Sequence, residues 1–145
     1  MDILSNFSER LIELMEENDL NAERLGKRTN INPTVIRYWK KPEKDIYVSS
    51  LIKVADYFKC SLDFLCKRSE TYLDYTPKEC PPFMKWLPTV ITENGKTTYR
   101  IFKDTRIKSS YFASWRKGAE PLLSSLGELA DYLGCTLDRL VGRDR

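Results

Sequence analysis

The sequence predicts an all-α protein made of two five-helix bundles in tandem, joined by a short linker. Three observations carry this expectation. Apolar residues recur at spacings of three and four through several segments, the pattern of a helix that buries one face. A fourteen-residue stretch starting at Ala55, A-D-Y-F-K-C-S-L-D-F-L-C-K-R, returns from Ala130 as A-D-Y-L-G-C-T-L-D-R-L-V-G-R with eight identities, which points to a duplicated unit. Between the copies, residues 69–82 lose the helical period and end in two prolines.

Taken in order, residues 7–17 form an amphipathic helix on Phe7, Leu11, Leu14 and Met15, with Ser5 or Ser8 as its cap. Leu20 closes the connection to residues 21–39, which read as two short helices around a tight turn. Asn21 is the N-cap of the first, whose buried position is Leu25. Gly26 is small enough for a second helix to cross closely, and Asn30 tolerates the left-handed backbone of a sharp turn. Asn32 then caps a helix with Pro33 at its first position, where a missing N–H costs nothing. Val35, Ile36 and Trp39 lie on or near its inner face, and Thr34, Arg37, Tyr38 and Lys41 lie off it.

After the polar loop K-K-P-E-K-D, residues 48–58 make a strong helix on Leu51, Val54, Ala55 and Phe58, started by Ser49 or Ser50. Residues 61–67 add a short one, capped by Ser61, on Leu62 and Leu65. The first domain is thus residues 1–68. The linker, 69–82, spans up to about 45 Å if extended, although Tyr72, Leu73 and Tyr75 suggest that part of it packs on a domain.

The second domain, 83–145, aligns with the first at a shift of 76: Phe7 meets Phe83, Leu11 Leu87, Leu25 Ile101, Ile31 Ile107, Ile36 Phe112 and Trp39 Trp115. One residue is lost between Trp115 and Leu126. Phe102 replaces Gly26 and Arg106 replaces Asn30, which weakens the close crossing and the turn. Pro88 should start or kink the first helix of this copy. A hairpin around Asn94-Gly95, flanked by β-branched runs, competes locally with the helical reading, which the repeat favours.

Composition excludes several functions. There is no histidine, and Cys60, Cys66, Cys80 and Cys135 form no C-x-x-C pair, so the usual zinc spacings are missing and no metal or cofactor is expected. Cys60 and Cys135 read as small buried hydrophobes. No phosphate-cradling glycine loop or nucleophile elbow points to an enzyme, and no small-molecule ligand is evident. No apolar run is long enough to cross a membrane and no secretory leader is visible, so a cytoplasmic protein is expected. The net charge of +3 matters less than its placement: residues 24–41 hold six bases and no acid, whereas the first helix is crowded with glutamates. A basic turn-helix segment suits a polyanion; a solvated helix face is the plainer alternative.

These residues resemble the lambda-repressor-like, Cro-type (XRE) helix-turn-helix family of bacterial and phage transcription regulators. The likeness is strong over residues 5–68, through F-S-E-R-L-I-E-L-M-E-E-N-D-L-N-A-E-R-L, I-N-P-T-V-I-R-Y-W and the A-D-Y-F-K-C-S-L-D-F-L close, and weaker over 83–143. It implies a third helix in the DNA major groove and a second across the backbone. Carried over, the base-reading positions are Asn32, Pro33, Thr34, Arg37 and Tyr38, and backbone contacts fall near Asn21, Ala22, Lys40 and Lys41. In the second copy they are Lys108, Ser109, Ser110, Ala113 and Ser114, with Thr97, Thr98, Arg116 and Lys117 for phosphate. Glutamine, common in the family at the positions of Ala22 and Pro33, is missing here.

The chemistry of these side chains agrees. Arg37 can fork onto guanine, Asn32 can pair with adenine, and Thr34 offers a hydroxyl and a methyl. Lysines supply affinity without sequence information. Arg37 could instead pair with Glu43 or Asp45, and Trp39 and Trp115 belong to the core. The expected partner is double-stranded DNA and the expected role a transcriptional repressor, read by one chain on two unequal half-sites or by a homodimer. The rival is a partner-binding or antitoxin-like interaction module in which the second copy mediates dimerisation.

Overall fold

A computed structural model describes residues 2–72 and 79–144. Among these residues every regular element is a helix, as the apolar periodicity predicts, and the chain falls into two units, Met1–Thr76 and Pro77–Arg145. The expected packing of Leu73 and Tyr75 lies outside the described residues.

The first unit holds α1 (Ile3–Glu17), α2 (Ala22–Thr29), α3 (Pro33–Trp39), α4 (Val48–Phe58) and α5 (Leu62–Leu65). Helix α1 starts earlier than expected. Its cap is Asp2 rather than Ser5 or Ser8: the carboxylate accepts the Ser5 N–H at 2.8 Å, which holds that carboxyl below its ordinary value. Ser8 is buried and donates its hydroxyl to the Trp39 carbonyl at 2.8 Å, tying α1 to the end of α3. Tyr47, not Ser49 or Ser50, stands at the N-cap of α4, and it makes no side-chain cap bond. Helix α5 stops at Leu65 because Lys67 turns to a φ of 57°.

Phe7, Leu11, Leu25, Ile36, Leu51, Val54, Leu62 and Leu65 are fully buried and form the core, each contributing about 1.5–3 kcal/mol on burial. Arg10, the one base on an acidic helix, is also buried. Its Nε donates to the Phe64 carbonyl at 2.9 Å and its guanidinium lies 4.0 Å from the Phe64 ring centroid, so α1 and α5 are joined by a cation–π contact. From the expected linker, Tyr72 donates its hydroxyl to the Phe58 carbonyl and sets its ring edge-on to Phe64. That part of the linker packs on the first unit.

The second unit holds α6 (Phe83–Glu93), α7 (Thr98–Asp104), α8 (Ser109–Arg116), α9 (Leu123–Leu133) and α10 (Leu137–Val141). Helix α6 neither begins at Pro88 nor gives way to a hairpin; Pro88 lies inside it, and Asn94 and Gly95 form its end, Gly95 at a φ of 69°. Leu87, Val90 and Ile91 bury at helical spacing, and that packing outweighs both the lost N–H and the local β preference. Two core expectations need correction. Trp115 is only half-buried, edge-on to Phe83 and tilted against Tyr111 and Phe112, and Cys135 is half-buried where Cys60 is buried.

Side-chain bonds recur at the shift read from sequence. Asn18 and Asn94 each donate to a carbonyl four residues back at 2.8 Å, as Thr29 and Thr105 do at 2.7 Å. Arg68 pairs with Asp63 at 3.1 Å, and Arg143 pairs with Asp138 at 2.8 Å.

Candidate nucleic-acid interface

The corner between α2 and α3 is tight because its residues permit it. Asn21 caps α2 by accepting the Arg24 N–H at 2.8 Å. Asn30 ends the helix at φ 60° and ψ 41°, the left-handed conformation expected of it. A Cβ on Gly26 would stand 2.5 Å from the Ile31 carbonyl oxygen, so only glycine lets the turn fold back on α2. Helix α3 then begins with Asn32 accepting the Thr34 N–H at 2.9 Å. It is anchored by Ile36 and Trp39, which are 0% and 3% exposed, and Trp39 meets Phe7 edge-on.

The opposite side of α3 is open. Thr34, Arg37, Tyr38, Lys40 and Lys41 are all exposed, and so are Asn21, Asn32, Arg24, Lys27 and Arg28. The polar side of a two-helix corner is therefore presented together with a cationic rim, a shape that fits a groove between phosphates. Three expectations change in detail. Pro33 is half-buried with its ring against Gly26, so it shapes the corner. Asn32 spends a lone pair of Oδ1 on its cap, a bond that does not use its Nδ2 donors. Val35 is 38% exposed rather than in the core, because Ile36 and Trp39 set the buried direction and Val35 stands about 100° round from Ile36.

Arg37 pairs with Glu23 of α2, not with Glu43 or Asp45. Both side chains remain more than half exposed, so this is a contact at the rim that the guanidinium can leave. No local signal could have given it, since the two residues are brought together by the crossing of α2 and α3. Tyr38 is 48% exposed, with the Lys44 ammonium 5.6 Å from its ring centroid.

In the second unit the corresponding corner is looser. Phe102, in place of Gly26, packs edge-on to Phe112 at 4.9 Å. Thr105 is extended, with no left-handed residue at the turn, and α8 packs more extensively on α6 than on α7. Thr97 caps α7 by accepting the Arg100 N–H at 3.2 Å; Thr98, Lys108, Ser109, Ser110, Ala113, Ser114, Arg116 and Lys117 are exposed. Lys108 cannot repeat the cap of Asn32, and α8 starts without a side-chain cap bond. A groove of about 260 Å³ opens beside Thr97, Thr98 and Arg116, floored by Leu87, Ile91 and Phe112. At the end of α7, Tyr132 donates to Asp104 at 2.6 Å, which pulls the carboxyl below its ordinary value and pushes the phenol up. The matching bond of the first unit joins Arg28 and Tyr57, so a base there is exchanged for an acid.

Among the described residues no cluster of histidine, cysteine or carboxylates is arranged to hold a metal, and no helix is long and apolar enough to cross a membrane. No curated protein and no solved structure gives a match to the chain. Residues 10–69, which include α2, the tight turn and α3, match the family model of the Cro/C1-type HTH DNA-binding domain.

Proposed function

We propose that the protein is a sequence-specific DNA-binding regulator, a repressor, that reads the major groove with the exposed side of α3. The observation that carries this is the coincidence of the family match over residues 10–69 with an open α3 face holding Thr34, Arg37 and Tyr38 beside exposed Lys40 and Lys41. In this role Arg37 leaves Glu23 to fork onto guanine O6 and N7, Thr34 and Val35 meet neighbouring bases, and Asn21, Lys40 and Lys41 contact phosphate.

We read the second unit, residues 83–145, as a diverged copy of the first. The recurring asparagine, threonine and aspartate–arginine bonds support this, because they fall at the shift that aligns the repeats. Lys108, Ser109, Ser110 and Ser114 then face the duplex, with Thr97, Thr98, Arg116 and Lys117 toward phosphate. The exposed cations of both corners favour DNA over the rival reading of a pure dimerisation module, which would call for an apolar face.

A binding selection from a randomised duplex pool tests the proposal. The full chain should enrich a defined motif, and Arg37→Ala should relax one guanine position while the fold persists. Recovery of no motif would reject it.

A further inference from the structure

The two units differ more in charge than in helix order. Met1–Thr76 has 12 basic and 13 acidic residues, whereas Pro77–Arg145 has 12 and 8. Seven bases between Lys96 and Lys117, all exposed, surround the corner of α7 and α8, where the matching residues 20–41 of the first unit hold six. The acids before α2 that offset those six have few counterparts before α7. The one acid between Lys96 and Lys117, Asp104, is held by the Tyr132 hydroxyl and by Arg100 at 3.0 Å. Within this rim the positions of α8 that would face a groove expose the short groups Ser109, Ser110, Ala113 and Ser114 and, where Val35 stands in the first unit, the ring of Tyr111. None has a fork to distinguish bases. Where the first unit pairs Glu23 with Arg37, the second has Tyr99 and Ala113, so it lacks both the reading arginine and the carboxylate that repels phosphate.

From this we infer a division of labour: the second unit grips the phosphates of duplex DNA without selecting sequence and supplies most of the salt-dependent affinity, while selection rests on α3 of the first. The inference builds on the DNA-binding reading. A grip of this kind holds the chain on any duplex, and the first unit, whose basic corner is offset by acids elsewhere in the unit, then adds chiefly discrimination. An acidic protein surface could also meet such a rim; the extended, regular negative charge of a duplex fits cations spread across two helices and their turn better.

The test uses the full chain carrying Lys103→Gln, Lys108→Gln and Lys117→Gln together, beside Arg37→Ala. Each is titrated against the best duplex from the selection and against a scrambled duplex, in salt from about 50 to 200 mM. Circular dichroism checks that each variant is folded. The triple variant should lose affinity equally on both duplexes, and its log–log salt slope should fall by about two to three, at about 0.9 per phosphate contact. Arg37→Ala should lower the ratio between the duplexes about 5- to 150-fold and change the slope by no more than about one. An unchanged slope in the triple variant, or a loss confined to the selected duplex, overturns the division of labour while leaving DNA binding standing. A wild-type chain that binds neither duplex overturns both readings.

Discussion

In the first unit the guanidinium of Arg10 lies against the ring of Phe64, and its Nε donates to the Phe64 carbonyl. At the matching positions of the second unit the partners are exchanged: Trp86 provides the ring and donates its Nε1 to the Arg139 carbonyl at 2.7 Å, while the Arg139 guanidinium lies 4.9 Å from that ring. Both joints lock the first helix of a unit to its last, and both combine one cation, one aromatic face and one bond to a backbone oxygen. No residue identity records the likeness, because the interaction is shared and the residues are not. A joint of this type depends on complementary chemistry in place, and either helix can bring either half.

That comparison can be broken at several points. The largest effect should come from the aspartate–arginine pair. Arg143 is fully buried with Asp138, so Arg143→Ala removes a buried cation from beside a buried carboxylate and should cost about 3–5 kcal/mol in chemical denaturation. Arg68→Ala, at the matching but partly exposed pair, should cost about 1 kcal/mol or less. Equal costs would mean that burial does not separate the two units at this joint.

The corner comes next. Gly26→Ala forces a Cβ to within 2.5 Å of a backbone oxygen and should destabilise the first unit by about 1–3 kcal/mol, with loss of DNA binding as the turn opens. A neutral result would remove the reason for the tighter first corner. A smaller effect is expected from exchanging the cation–π partners. Arg10→Trp and Phe64→Arg should each destabilise, and the double variant should recover about 0.5–2 kcal/mol in a double-mutant cycle. Strict additivity would show that the exchanged joint does not transfer.

The mildest effects concern pH. Arg139 holds the Glu93 carboxyl, and Tyr132 the Asp104 carboxyl, below their ordinary values. Each stabilises the fold above the ordinary carboxylate range and ceases to do so as pH falls through the depressed native value. Melting temperature should therefore decline only on acidification below about pH 4. Lys67 has the opposite sign: its bonds to Glu9 and Glu13 raise its pKa, so that contribution is complete at neutral pH and is lost only in strong base. With no histidine in the chain, affinity for DNA should stay flat between about pH 6 and 7.5. A midpoint in that window would point to a titrating group outside these contacts.

Much of the architecture was legible because it is locally encoded. Helix α4 follows directly from the spacing of Leu51, Val54, Ala55 and Phe58, and the caps Asn21, Asn32 and Ser61, with the left-handed Asn30, each announce a boundary within three residues of themselves. What escaped is tertiary. Ser8 resembles a cap, yet its hydroxyl is used by a carbonyl 31 residues away. Pro88 looks like a helix start, but burial of its neighbours carries α6 through it. The candidate interface divides the same way. The exposed positions of α3 follow from helical spacing, except Val35, which sits at the edge of the buried sector. The Glu23–Arg37 contact could be foreseen only with the crossing of α2 and α3 in hand.

The central claim, that Arg37 reads a guanine from the exposed side of α3, is tested most directly by replacing each guanine of the selected duplex in turn with 7-deazaguanine. One position should weaken wild-type binding about 5- to 150-fold, and the Arg37→Ala chain should not sense that same replacement. If wild type and variant lose the same factor at every guanine, Arg37 is not the reader and the interface lies elsewhere.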